Sequence, residues 1–204
     1  IYSRLEKRYD YAKAYQYYQS QKDYQEEIIK TIKKEKIACD LEQVPSYLYC
    51  LQDKNREKVL EEEKILKKFN EKPKKVSSLP NGLEVKEGFF VENAYVFHPL
   101  KFIYGLIRKS LSEDHQIFEQ TTVFKLEKTQ EGYVAFTNEA KIKANYIVLA
   151  LHYPFFLFPF FMPLRCYLEK SNLLSTKKEI EASFAAINLD KPLLSFRYDR
   201  KNSL

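Results

Sequence analysis

The sequence predicts an α+β fold, a mixed sheet with a β-meander and flanking helices, from three observations. Apolar residues recur at helical spacing through the first forty positions and again after Pro99. Short strand-like runs between Thr122 and Asn138 are joined by a hairpin-length connection that carries a glycine. The stretch Lys141 to Phe155, KIKANYIVLALHYPF, passes from charged alternation into an unbroken apolar run. Such runs mark strands buried on both faces.

In chain order, Leu5 and Tyr9, then Tyr24, Ile28 and Ile32 with Ile29 beside them, define an amphipathic helical segment without proline until Pro45. Ser46 to Leu51 alternates as a strand does. Asn55 is a suitable N-cap for a helix through about Phe69, with Val59, Leu66 and Phe69 on one face. Residues 72–82, rich in proline, serine and glycine, read as a turn, and Gly88 to Phe97 as a strand. Pro99 opens another helix with Leu100, Ile103, Ile107 and Leu111 as its stripe. Strands are expected at Gln116 to Gln120, Thr122 to Lys128, Tyr133 to Asn138 and Lys141 to Leu151. Beyond Leu164 the expectation is a helix at Lys177 to Ala186 and a strand at Leu193 to Tyr198.

Ligands in open α/β sheets lie beyond the carboxyl ends of core strands, which puts Ala150, Leu151 and His152 where a cofactor would bind. The 204 residues include only 4 glycines, although ordinary usage of about 7% predicts roughly fourteen. The chain starts at Ile1 and its single methionine is Met162, so it is expected to be a piece of a longer protein. A net charge of +6 raises the possibility of polyanion contact, but acidic residues are interleaved throughout, and no nucleic-acid partner is expected. Three cysteines without CxxC spacing point away from a disulfide framework and toward a reducing, cytoplasmic setting. Three histidines and three cysteines without ligand spacing point away from a metal site. Pro154, Pro159 and Pro163 interrupt the apolar run at 146–164, so no membrane span is expected.

The run AYVFHPLKFIYGLIRKSLSEDHQIFEQTTVFKLEKTQEGYVAFTNEAKIKANYIVLALHYPF resembles the middle of FAD-dependent oxidoreductases of the D-amino-acid oxidase and glycine oxidase superfamily. Phe97-His98-Pro99 stands where a bacterial subgroup has an FHP element before a helix. Ala150-Leu151-His152-Tyr153-Pro154-Phe155 stands where it has A-T-H-Y-P-F after the core strand. Looser likeness extends to YSRLEKRYDYAKAYQYYQSQ, Cys39-Asp40, Tyr47 to Tyr49, Pro163 to Tyr167 and Leu194 to Arg197.

The resemblance implies a partial FAD/NAD(P)-binding region together with part of a substrate domain. Residues 1–92 would be a helical segment and the start of the substrate domain. Residues 93–155 would belong to the FAD-binding region, and 156–204 would return to the substrate domain. Carried over by position, Val123 matches a meander residue whose backbone meets the adenine moiety, and Ala150 and Leu151 match the strand end beside the dinucleotide. His98 and His152 match positions near the domain junction. His98, Arg165 and Arg197 are substrate-side candidates, the two arginines suited to a carboxylate by their planar fork.

The implied activity is oxidation of a small amine or amino acid by hydride transfer to FAD. No evident acid–base pair is present, as suits chemistry carried by the flavin. The family's G-x-G-x-x-G turn is absent, and Leu151 replaces its usual small residue. FAD binding by this chain alone is therefore expected to be weak. The residues taken alone leave open two other readings: an interaction module using the tyrosine-rich helix, and a basic nucleic-acid binder. Each candidate also has a plain structural reading: Val123 as a hairpin core residue, the histidines as element caps, and the arginines as surface ion-pair partners.

Overall fold

The chain opens with two helices where one continuous helical segment was expected, because Asp10 interrupts it. Helix α1 (Tyr2–Arg8) ends at Tyr9, and α2 (Tyr11–Lys34) starts anew with Asp10 as N-cap, its carboxylate accepting from Lys13 N at 2.7 Å. The computed structural model describes residues 1–112, 114–153, 161–174 and 183–198. These form two units, Ile1–Ser110 with Ser175–Leu204, and Leu111–Leu174. The division falls inside the expected 93–155 segment.

The first unit is built on a five-stranded mixed sheet. Its strands are β1 (Glu42–Cys50), β2 (Lys74–Lys75), β3 (Glu87–Val96), β7 (Phe184–Asn188) and β8 (Ser195–Tyr198), in the order β2-β3-β1-β7-β8. Strands β1 and β7 run parallel, and the other pairs are antiparallel. Pro45 sits at a register shift in β1, where a residue without an N–H does least harm to the ladder. The expected helix from Lys177 falls partly outside the described residues. Its last positions, Phe184 to Ala186, are strand instead, with the alternating burial that a strand's period of two imposes.

That same period divides the residues of β1 between two cores. Tyr47 and Tyr49 pack with Leu79, Phe184 and Ala186, while Cys50 packs with Val59 and Phe89. Helix α3 (Arg56–Lys68) supplies Val59 and Ile65. Asn55 stands at the expected N-cap position but does not cap with its side chain. Instead its amide donates to Asp190 at 2.7 Å.

Part of the tyrosine-rich helical face is covered. Ala14 and Tyr18 are buried with Ile65 and Phe69, and Ile32 with Ile37 and Cys39. Tyr24 remains 68% exposed. The first half of α2 therefore packs on the neighbouring helices rather than on the sheet.

Helix α4 (Pro99–Ser110) begins at the expected proline, but the expected stripe is not its packing face. Phe102 and Leu106 pack against Ile37 and Cys39, while Leu100, Ile103 and Leu111 are exposed. Gly105 makes this approach possible, since a Cβ there would lie 2.4 Å from Ile37 Cγ2.

The second unit contains a three-stranded meander, β4 (Val123–Thr129), β5 (Gly132–Thr137) and β6 (Lys141–Ala144), all antiparallel. Gly132 adopts φ 136°, and a Cβ there would lie 2.6 Å from the Ala144 carbonyl oxygen. Two expectations fail in this unit. Gln116 to Gln120 is not a strand, and the expected core strand Lys141 to Leu151 is regular only through Ala144. Its entry becomes the third meander strand. Among the described residues no strand pairs with 145–151, and Tyr146 and Val148 are 87% and 88% exposed. An apolar run becomes a core strand only when neighbours satisfy its backbone and cover its side chains.

Candidate functional site

Two places gather the sequence-predicted residues, one in each unit. In the first unit the site lies where β1 begins and β3 ends. His98 follows β3 directly. Its N–H donates to the Cys39 carbonyl at 2.7 Å, and its Nδ1 accepts from Lys101 N at 3.4 Å. The half-buried imidazole therefore stands at the start of α4 as an N-terminal capping group.

Arg197, on β8, reaches the same corner, with Nη1 donating to the Phe97 carbonyl at 2.7 Å. Around these two lie residues that were not among the sequence-predicted site residues. Ser183 Oγ donates to Glu42 Oε2 at 3.0 Å, and Lys101 Nζ meets Asp40 Oδ2 at 2.6 Å. Asp40 holds φ 55°, a left-handed conformation that aspartate tolerates better than most residues. The corner combines a guanidinium with carboxylates and a half-buried imidazole, a set able to hold a small charged molecule by directed hydrogen bonds. The visible sequence signal is Cys39-Asp40, which marks the turn into β1. The pairing of Ser183 with Glu42 spans 141 positions and left none.

In the second unit one cleft of about 510 Å³ has Val123, Ala150 and Leu151 in its wall. The meander forms one side. Leu126, Ala135 and Ile142 are register partners in a row across the three strands, so all present the same face. Residues 146–151 form the opposite side, and Thr121 and Thr122 supply hydroxyls. The sequence did not single out Leu126, Ala135 and Ile142, because their alignment depends on the register of three strands.

His152 does not line this cleft. Arg165 closes a 3₁₀ turn (Met162–Arg165), is exposed, and has no ion pair among the described residues. The structure thus brings Val123, Ala150 and Leu151 together and places His98 beside the Arg197 contact. It joins neither His152 nor Arg165 to those groups. No group of three or more His, Cys, Asp or Glu among the described residues is placed to hold a metal ion.

Comparison with known proteins adds the lineage. Residues 2–200 match the DAO model, described as FAD dependent oxidoreductase. The chain belongs to the DAO family of FAD-dependent oxidoreductases. A curated Bacillus subtilis relative named "Putative Rieske 2Fe-2S iron-sulfur protein YhfW" is 24% identical over 183 residues, covering 89% of this chain and 36% of that protein. The chain therefore spans about a third of that relative's length. No solved structure matches.

The family's cofactor can be tested against the DAO chain's geometry. The meander cleft is apolar, with few polar groups, and suits one flat ring system rather than a whole dinucleotide. A pyrophosphate needs converging backbone N–H groups, usually on a glycine turn. The four glycines here do other work or stand apart: Gly132 turns the hairpin, Gly105 admits Ile37, Gly88 within β3 pairs with Tyr49, and Gly82 lies in the turn before that strand. Among the described residues no glycine turn gathers backbone N–H groups beside this cleft.

Proposed function

We propose that this chain is the substrate-side and interdomain portion of an oxidoreductase that oxidises a small amine or amino acid by hydride transfer to FAD. The observation that carries the reading is the single cleft with Val123, Ala150 and Leu151 in its wall, in a chain of the DAO family. In this reading the apolar cleft takes the adenine end of the dinucleotide. Arg197 and His98, at the end of the five-stranded sheet, lie on the substrate side. The Arg197 guanidinium orients a carboxylate there, and the protein positions the substrate while the flavin accepts the hydride.

The test has two arms. Whole protein loaded with FAD should lose its flavin absorbance when mixed anaerobically with the right member of an amine and amino-acid panel. Failure across the panel sinks the substrate class. The chain alone, incubated with FAD and desalted, should keep no flavin band, and stoichiometric tight binding would overturn its assignment as one wall of the site.

The name of the Bacillus subtilis relative supports a further reading for the electron acceptor. An iron–sulfur centre would take electrons from the reduced flavin, in place of oxygen. Reoxidation of the reduced flavin without oxygen, in step with reductive bleaching of an iron–sulfur chromophore in the whole protein, is the expected result.

A further inference from the structure

Part of the chain's positive charge gathers at a second place, which shares only Lys101 with the His98 corner. A cleft of about 350 Å³ lies between the segment after α2 and the exposed side of α4, with Lys36, Lys101, Tyr104, Arg108 and Lys109 in its wall. Lys33 and Lys34, in the last turn of α2, stand immediately before it in sequence. These six cations are accompanied nearby in sequence by two carboxylates, Glu35 and Asp40, leaving a local surplus of four in a chain whose net charge is +6.

Both carboxylates already face a cation: Lys34 lies 3.8 Å from Glu35, and Lys101 lies 2.6 Å from Asp40. Among the described residues no ion pair holds Lys33, Lys36, Arg108 or Lys109. Lys36 takes φ 52°, a left-handed conformation uncommon for lysine, as the chain leaves α2. Gly105 then lets α4 approach Ile37 closely enough to bring the two basic segments to one cleft. Like charges gathered on a surface repel unless a counter-charge joins them.

We propose that this cleft is a binding site for a phosphoester or pyrophosphate group. Arg108 offers a planar fork that matches two phosphate oxygens, and Lys36 and Lys109 add point charges, while Lys101 is engaged by Asp40. Tyr104, exposed at the rim, provides a flat face for an organic moiety attached to the phosphate. Lys36, Lys101, Arg108 and Lys109 line one cleft, which suits a compact anion better than a nucleic-acid backbone.

The experiment is calorimetric titration of the chain with inorganic pyrophosphate at low ionic strength, where screening is weakest. Binding is expected, and K36Q/R108Q should weaken it about tenfold or more, the scale of losing a charge-assisted bidentate contact. Both substituted side chains are exposed, and circular dichroism checks that the fold survives. Asp40→Asn releases Lys101 and should tighten binding about threefold, a gain that misfolding cannot imitate. Titration against phosphatidylcholine vesicles with and without phosphatidic acid then separates a lipid headgroup from a soluble phosphoester as the source. No heat with pyrophosphate at low salt, or equal affinity in K36Q/R108Q, overturns the proposal.

Discussion

Arg197 Nη1 donates to the carbonyl oxygen of Phe97 at 2.7 Å, joining β8 to the residue that precedes His98 across 100 positions of sequence. The guanidinium is exposed, so the contact adds little stability while fixing where the fork points. Arg197→Ala should shift the unfolding free energy by less than about 1 kcal/mol. In the whole protein it should raise KM for a carboxylate-bearing substrate more than it lowers kcat. A large loss of stability without a change in KM would assign Arg197 a purely structural role.

Asp190 is a buried carboxylate that accepts from Leu51 N at 2.6 Å and from Asn55 Nδ2 at 2.7 Å, tying the end of β1 and the start of α3 to the turn after β7. Truncation leaves the buried Asn55 amide and the partly buried Leu51 N–H without an acceptor. Asp190→Ala should cost about 2–4 kcal/mol, read from the denaturant midpoint. Asp190→Asn should cost less, because its amide oxygen still accepts one of the two bonds.

Glycine 105 offers a test of close packing. In an isolated helix, Gly→Ala gains up to about 1 kcal/mol. Here the new methyl would meet Ile37, itself buried, so Gly105→Ala should destabilise by about 1–3 kcal/mol. Combining it with Ile37→Ala should recover part of the loss, and a strictly additive double-mutant cycle would disprove the contact.

The Tyr18 hydroxyl donates to Glu71, which also accepts from Lys22 Nζ at 2.9 Å. Burial opposes ionisation of Glu71, but the hydrogen bonds from Tyr18 and Lys22 and the charge of Lys22 outweigh it and hold the carboxyl below its ordinary 4.5. A depressed carboxyl stabilises the fold above its unfolded value. That contribution is lost as pH falls from about 4.5 through the folded value. Burial, followed by the bond to Glu71, pushes Tyr18 well above its ordinary 10.0, so its contribution is present below pH 10.0 and is lost as pH rises through the folded value. Stability curves for Glu71→Gln should be flatter on the acid side, and those for Tyr18→Phe flatter on the alkaline side. Unchanged slopes would sink this account.

Cysteine accessibility reports the fold directly. Burial, first among the causes, raises the thiols of Cys39 and Cys50, whereas Cys166 is exposed. A thiol reagent should modify one cysteine per native chain and all three after denaturation. Rapid native modification at Cys39 or Cys50 would contradict the packing described.

Much of the local structure was legible. Pro99 marked the start of α4 and the Gly132 hairpin the meander, because first-turn and turn chemistry depend on a few neighbouring residues. Asn55 stands at the start of α3, but its amide bonds Asp190 rather than capping the helix. Asp10 was missed as a break in the first helix because the apolar spacing continues on both sides of it. The stripe of α4 was misassigned because Leu100, Ile103 and Ile107 and the pair Phe102 and Leu106 define two apolar faces. Periodicity cannot choose between them. The candidate site was half legible: Val123, Ala150 and Leu151 meet at one cleft, but Glu42 and Ser183 come together only through the sheet.

The sequence alone determined the helical segments through α4, the strands of the meander, the alternation of β1 that feeds two cores, and the family's ordered motifs. These are properties of short spans, governed by backbone preference and hydrophobic period. Only the tertiary structure decided that Lys141 to Ala144 pairs with β5 while Tyr146 to Leu151 leaves the sheet to wall a cleft. An apolar run states that it avoids water. Which surface covers it, and which edge satisfies its backbone, depends on strands elsewhere in the chain.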